Sequence, residues 1–403
     1  MKVLHIIPSL SPIRGGPSLA AIEMVESLNF NGIEASIITT NDHGDRQLKI
    51  STKDWTNYKG VPVHFFSRYS PIIAPIREFS YSSDLTSWLW NNIHNYDLLH
   101  IHAIFSYPST VAMAFARWKQ VPYIVRPLGQ LCHWSLSQQA IKKKTYLSLI
   151  EKKNLTQSQG IHFTSQAEEN EASSLGLNAP SFVVPHGLHV PEKVSNASTK
   201  LRAQLQLSTK TPIITFLSRL HPKKGLEYLI TALSSLKDNP FLFLIAGSGD
   251  SDYESYLKNL INEHQLSDLT HFLGFVEGET KNLLLQGSDL FALTSHSENF
   301  GVAVLEALAA GLPALVTPGV ALSELVLQQQ LGYVPPLEET AITNALLHCL
   351  KNPEEAKLMG ERARRFIQEN YTWDKVTINL IEVYQTILRR EPNQQYSFST
   401  SRP

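Results

Sequence analysis

The chain has 403 residues, of which 43% are hydrophobic and 18% charged, with a formal net charge of -1. That length exceeds one comfortable core and calls for two domains, while the even charge balance excludes binding to nucleic acid through a global basic field. Two cysteines, Cys132 and Cys349, lie far apart. They suggest no disulfide framework and suit a reducing cytoplasm.

The opening MKVLHIIPSL carries an apolar run too short for a signal peptide or a spanning helix, and it reads as a first buried strand. Short apolar runs then alternate with longer amphipathic ones, the pattern of a parallel α/β architecture. Strands are expected near 2–8, 34–39, 61–66, 97–102, 121–125, 160–163 and 181–184, and helices over 17–30, 82–94, 108–118, 135–157 and 166–175. A polar stretch over 191–210 reads as a linker followed by a short helix. The alternation restarts at Pro212, with strands near 212–217, 241–246, 270–273, 289–293, 313–316 and 331–334, and helices at 224–237, 252–263, 279–286, 301–310 and 338–350. An amphipathic helix over 371–390 and a polar, disordered tail over 391–403 complete the chain. The expected fold is therefore α/β, with two Rossmann-like, doubly wound parallel-sheet domains at 1–190 and 211–370. Ligands of such sheets sit at the carboxyl ends of the strands, so a cleft between the domains is the place to look for a site. Residues 1–190 carry 16 Lys/Arg against 13 Asp/Glu and the remainder 19 against 23, a modest positive bias in the first half.

Several short motifs fall at the heads of these strand–helix units. Arg14-Gly15-Gly16-Pro17-Ser18 follows the first strand; its paired glycines allow backbone to approach a ligand, although a plain tight turn accounts for them as well. His100-Ile101-His102 closes a strand with both imidazoles on one side of the sheet. A two-histidine metal site or satisfied structural histidines fit that spacing, and no carboxylate or cysteine nearby supports a metal. The Trp134 and Lys142-Lys143-Lys144 region reads either as a contact for anionic lipid or as a solvated helix face. Arg219 and Lys224, in SRLHPKKGL, offer a planar fork and a point charge suited to a diphosphate at a helix start. Asp250-Ser251-Asp252 matches a metal–diphosphate triplet or, more simply, a helix cap. Glu298 and Glu306 stand eight residues apart, one at a strand's carboxyl end and one in the following helix. Paired ribose hydroxyls would be a natural partner for Glu306, and the rival reading is a dipole-favoured carboxylate at Glu298 plus one satisfied, buried Glu306.

In order and spacing these pieces resemble the retaining glycosyltransferase family 4, of GT-B architecture. The resemblance runs from the Gly15-Gly16 loop to Glu324 and is most specific over HFLGFVEGETKNLLLQGSDLFALTSHSENFGVAVLEALAAGLPALVT. It implies a retaining transferase that moves a sugar from a nucleotide-diphosphate sugar, a UDP- or GDP-sugar, to an acceptor hydroxyl in polysaccharide or glycoconjugate synthesis, with no further cofactor and no metal. By the same resemblance Arg219, Lys224, Gly15 and Gly16 bind the donor diphosphate and Glu306 the ribose. Glu298 and His102 act at the transferred sugar, while Asn299, Phe300 and Gly301 hold sugar and phosphates through backbone groups. Backbone around Phe275 meets the nucleobase, and Arg126 and His133 lie on the acceptor side. His186 stands where relatives commonly have Asn. The final helix is expected to cross back onto the first domain. The acceptor is a sugar, a lipid-linked molecule or a small molecule; the location is cytoplasmic, with peripheral contact at the inner membrane face. A nucleotide-sugar epimerase of the same architecture and a non-catalytic nucleotide-sugar-binding subunit are the alternatives.

Overall fold

The computed structural model describes residues 1–138, 140–208 and 211–389, so the expected tail over 391–403, residues 209 and 210 of the expected linker and residue 390 of the last helix lie outside the described residues. The chain divides into two compact units, one of Met1–Gly187 joined by the segment from Trp373 onward, the other of Leu188–Thr372.

Among its described residues the first unit contains ten strands: β1 (Lys2–Ser9), β2 (Glu34–Thr40), β3 (Asp42–His43), β4 (Arg46–Gln47), β5 (Trp55–Tyr58), β6 (Val61–Phe66), β7 (Leu98–His102), β8 (Tyr123–Arg126), β9 (Gly160–Phe163) and β10 (Ser181–Val183). Eight of them form one sheet in the order β10-β9-β8-β7-β1-β2-β6-β5, while β3 and β4 make a separate antiparallel pair. All neighbours in the large sheet are parallel except β5, which pairs antiparallel with β6. The central strands are buried on both faces, which is why they read as unbroken apolar runs rather than as alternating ones. Strand β5 is polar and partly exposed and gave no such signal. Its hairpin is made by Lys59-Gly60, both at positive φ (51° and 87°), as a tight turn between twisted strands requires.

Helix Trp373–Leu388 packs in this same unit against helix Gly16–Phe30. Its apolar stripe of Trp373, Val376, Leu380, Tyr384 and Ile387 joins the buried cluster that contains Val3, Ile37 and Phe65. Polar contacts fix its register: Trp373 Nε1 donates to Glu23 (3.0 Å), Thr377 bonds Ser27 (2.8 Å), and the Tyr384 hydroxyl reaches His100 Nδ1 (2.7 Å). The single helix expected over 135–157 is instead broken into His133–Ser137, Ala140–Tyr146, a π-helical turn at Leu147–Glu151, and Lys152–Thr156. The π turn brings Glu151 to an inward position, where it accepts from Thr110 (2.6 Å) and Asn154 (2.9 Å).

The second unit holds β11 (Ile213–Leu217), β12 (Leu242–Ala246), β13 (Thr270–Gly274), β14 (Leu290–Leu293), β15 (Ala314–Val316) and β16 (Gly332–Tyr333), in the order β13-β12-β11-β14-β15-β16. Every pair is parallel. Within the stretch read as a linker, Ala197–Gln204 is helical and packs on helix Gly278–Gly287. A helix the periodicity missed, Pro353–Asn370, packs on helix Val302–Ala310. Its Gly360 lies so close to the Gly311 carbonyl that any Cβ would collide. In each unit the strand order reverses beside the first strand, between β1 and β7 and between β11 and β14. Those reversals are where doubly wound sheets open a crevice at their carboxyl ends.

Candidate functional site

In the second unit the two loops that leave β11 and β14 meet at that reversal. The loop after β11 passes through a short 3₁₀ turn, Pro222–Lys224, and enters helix Leu226–Ser234 through Gly225 at φ 59°. Three hydrogen bonds lock it to the loop after β14: Thr294 Oγ1 to the Gly225 carbonyl (2.7 Å), Ser295 Oγ to the Lys223 carbonyl (2.9 Å), and the His296 N–H to the same Lys223 carbonyl (2.9 Å). This lock carries Lys224 inward, 8% exposed, into an ion pair with Glu298. Arg219, earlier on the loop, stays exposed and has no ion-pair partner among the described residues.

The Glu298 backbone is held in turn: its N–H donates to the Gly319 carbonyl (2.8 Å) and its carbonyl accepts from Ala321 (3.0 Å). Asn299 is partly buried and Phe300 is buried at 3% exposure. Gly301, at φ 90°, is the N-cap of helix Val302–Ala310, a backbone cap with no side chain over it. Glu306, on that helix, is neither fully buried nor unpaired. It forms an ion pair with Lys281 at 2.7 Å, each side chain about a quarter exposed. Phe275, just past β13, is 70% exposed.

In the first unit, Gly15 (φ 79°) and Gly16 open helix Gly16–Phe30 after β1. Arg14 ties that turn down, donating to both oxygens of the buried Asp42 (2.8 and 2.9 Å) and pairing with Glu78 (2.8 Å). The buried Arg68 also pairs with Asp42. Burial alone would raise the Asp42 pKa, but hydrogen bonds from Arg14 and Ser9 and the charges of Arg14 and Arg68 hold it below the usual carboxylate value.

His102, at the carboxyl end of β7, is fully buried and its Nε2 lies 3.0 Å from His5 Nδ1. His100 stacks on it with ring centroids 4.4 Å apart, so both imidazoles do share one face. His162 Nε2 lies 2.8 Å from the Val184 carbonyl, which can only accept, so that nitrogen carries the proton. His162 Nδ1 then accepts from His100 Nε2 (3.2 Å), and His100 Nδ1 accepts from Tyr384. Burial first, and the nearby Arg126 charge after it, push His5 and His162 down to about 3. Burial first, then the neighbouring histidines and the Arg126 charge, hold His100, His102 and His186 well below the usual value. Arg126 is itself fully buried and lowered to about 10 by desolvation; its Nη2 sits 2.8 Å from His186 Nδ1, while Nε and Nη1 have no partner among the described residues. His133 is exposed, with its N–H donating to Glu171 (2.9 Å).

Two family profiles match this chain. Residues 197–366 fit the family described as glycosyl transferases group 1, and residues 15–187 fit the glycosyl transferase 4-like domain. The chain belongs to the group 1 glycosyltransferases. An uncharacterized glycosyltransferase of Methanocaldococcus jannaschii is 25% identical over 407 residues, covering 96% of this chain and 98% of that protein. Among solved structures, sucrose-phosphate synthase from Thermosynechococcus elongatus superimposes with a TM-score of 0.78 at 18% identity, covering 96% of this chain and 99% of that one. Anabaena HepE in complex with UDP and glucose gives 0.75 at 21%, with coverages of 96% and 100%. The fold of this transferase is thus GT-B.

Local spacing pointed to the transferase's two glutamates and two loop cations, but not to the Lys281–Glu306, His5–His102, His162–His100 and Arg68–Asp42 pairs, whose members lie 25 or more residues apart. His5, His100 and His102 place ligand-capable ring nitrogens within 4.8 Å of one another, a grouping the His100-Ile101-His102 spacing alone left incomplete. Asp250 caps helix Ser251–Glu263 by accepting from the Asp252 N–H (3.0 Å), the simpler of the two readings of that triplet. Gly225 offers a direct test of the loop geometry, since a Cβ there would meet the Thr294 carbonyl and the backbone is left-handed. Gly225→Ala is expected to lower unfolding free energy by about 2 kcal/mol or more, read as a drop in the urea midpoint of the full chain.

Proposed function

We propose that this transferase moves a sugar from a nucleotide-diphosphate sugar, a UDP- or GDP-sugar, to an acceptor hydroxyl with retention of anomeric configuration, in polysaccharide or glycoconjugate synthesis. One observation carries this reading: Lys224, Glu298 and the backbone-capped helix at Gly301 converge where the second sheet reverses its strand order, with Arg219 exposed on the same loop. A helix start and two cations form a natural diphosphate cradle. The donor diphosphate competes with Glu298 for Lys224, and on binding frees that carboxylate to accept from the hydroxyls of the sugar. Glu306 accepts from the ribose hydroxyls, and the exposed Phe275 marks the nucleobase end. Asn299, Phe300 and Gly301 meet the sugar and phosphates through backbone groups.

As the anomeric C–O bond breaks, its electron pair passes to the β-phosphate oxygen, where Arg219 and Lys224 stabilise the growing charge. The acceptor oxygen bonds to the anomeric carbon on the same face, and its proton passes to the departing phosphate oxygen. These cations do the electrostatic work that a metal would otherwise do. In the first unit Gly15 and Gly16 serve the donor diphosphate. His102 serves the sugar as a neutral hydrogen-bonding group, in line with its burial beside the Arg126 charge. The stretch from Arg126 to His133 forms the acceptor side, with His133 exposed and Arg126 buried.

No helix among the described residues is long and apolar enough to cross a membrane. The exposed Ile141, Leu149 and Ile150, set among Lys142, Lys144 and Lys152, support peripheral contact at the inner membrane face and hence a cytoplasmic location and a lipid-linked acceptor. A thermal-shift screen of the full chain against UDP-, GDP- and ADP-sugars, followed by a transfer assay on the best donor with and without EDTA, tests the reading. Stabilisation by a UDP- or GDP-sugar and chelator-insensitive transfer are expected. Release of a free epimerised sugar without any acceptor would point to an epimerase instead, and chelator-sensitive transfer would overturn the metal-free step.

A further inference from the structure

The second unit contains a cation that the reading above does not use. Lys281 sits in the first turn of helix Gly278–Gly287, and its Nζ lies 2.7 Å from Glu306 Oε1. Its place is set by packing rather than by a flexible reach. Leu284 and Leu285, three and four residues on, share its helix face and are 2% exposed, and this helix packs directly on the one that carries Glu306. On the Glu306 side, Leu305, Ala307 and Leu308 are fully buried. Lysine and glutamate thus rise side by side from a rigid apolar seam, each about a quarter exposed. Glu306 Oε2 has no partner among the described residues.

We propose that Lys281 is a positioning residue for the donor ribose, acting through Glu306. This rests on the ribose role given to Glu306 above. A carboxylate that must accept from two neighbouring hydroxyls has to present one oxygen in a defined direction. The lysine holds Oε1 and leaves the lone pairs of Oε2 to the 2′- and 3′-hydroxyls. The ordinary alternative is a partly exposed surface pair that contributes little and influences nothing beyond itself.

The two accounts separate on ribose discrimination, which a merely structural pair would not alter. The experiment is calorimetric titration of the full chain with UDP, GDP and ADP and with their 2′-deoxy counterparts, in wild type and in Lys281→Met, Lys281→Arg and Glu306→Gln. For the best-bound base, wild type is expected to prefer the ribonucleotide by about tenfold, the scale of a hydrogen bond to a charged group. Lys281→Met is expected to weaken the ribonucleotide by roughly that factor, leave the deoxynucleotide nearly unchanged and bring the preference to within about twofold, while Lys281→Arg recovers most of it. A Lys281→Met protein with the wild-type ratio overturns the lysine's role and leaves the ribose reading intact. A wild type without ribonucleotide preference, matched by an unaffected Glu306→Gln, overturns both. Lys281 stands partly exposed on a helix surface, and unchanged circular dichroism of the variant separates binding from folding.

Discussion

Arg219→Ala is expected to lower transfer by about 10²- to 10³-fold while leaving the melting temperature within a degree or two of wild type. The side chain is exposed and has no ion-pair partner among the described residues, so its removal leaves no buried charge behind. Its proposed work is on the donor diphosphate and grows as that group departs, so its loss shows in the transfer kinetics, kcat above all, rather than in stability. Lys224 is the instructive contrast. It is buried and paired with Glu298, so Lys224→Met strands a partly buried carboxylate and is expected to reduce both stability and transfer. Steady-state kinetics beside thermal melts on the two variants check the distinction. An Arg219→Ala protein with near wild-type kcat would remove the arginine from the mechanism.

Acid should unfold the first unit at a pH that most proteins of this size tolerate. His5 and His162 are neutral in the fold and lowered to about 3, chiefly by burial, and His100, His102 and His186 are displaced in the same direction. An unfolded histidine binds its proton near pH 6.5, so between about 6.5 and 3 the unfolded chain holds more protons than the folded one, and stability falls as pH falls. It is fully present above pH 6.5. By pH 5 each of His5 and His162 has lost about 2 kcal/mol, against a total of roughly 5–15 kcal/mol for an ordinary domain. Glu151 and Glu168 act the other way: burial raises both, so the fold gains as they take up protons, which offsets part of the loss at the acid end. Urea titrations at pH 7.5, 6 and 5, followed by circular dichroism, should show the midpoint dropping at each step. Equal midpoints at pH 7.5 and 5 would mean that the buried histidines take up protons in the folded chain as readily as in the unfolded one.

The order of elements, the two doubly wound sheets and the loop motifs after β11 and β14 were legible because each depends on residues near one another in the chain. A parallel strand buried on both faces must be an apolar run, and a loop that turns into a helix at a ligand must spend its glycines and cations within a few positions. Ser218–Gly225 and Ser297–Glu306 met those conditions, and the fold sets both at the strand-order reversal of the second unit. The polar strand β5, the charged helix Pro353–Asn370 and the π turn before Lys152 were not legible. Their stability comes from partners elsewhere: an edge for β5, the close approach of Gly360 to Gly311, and an inward seat for Glu151. The same holds for the charges. Sequence spacing nominated Glu298 and Glu306 as carboxylates in search of partners, and only the packing of separate helices and loops showed those partners to be Lys224 and Lys281. It nominated two histidines, while the pairing of β1 with β7 and of β8 with β9 gathered His5 and His162 around them. Short-range pattern reports what a segment can do alone. Which charge meets which, and which histidine loses its proton, depends on distances and desolvation that exist only after the sheets have formed.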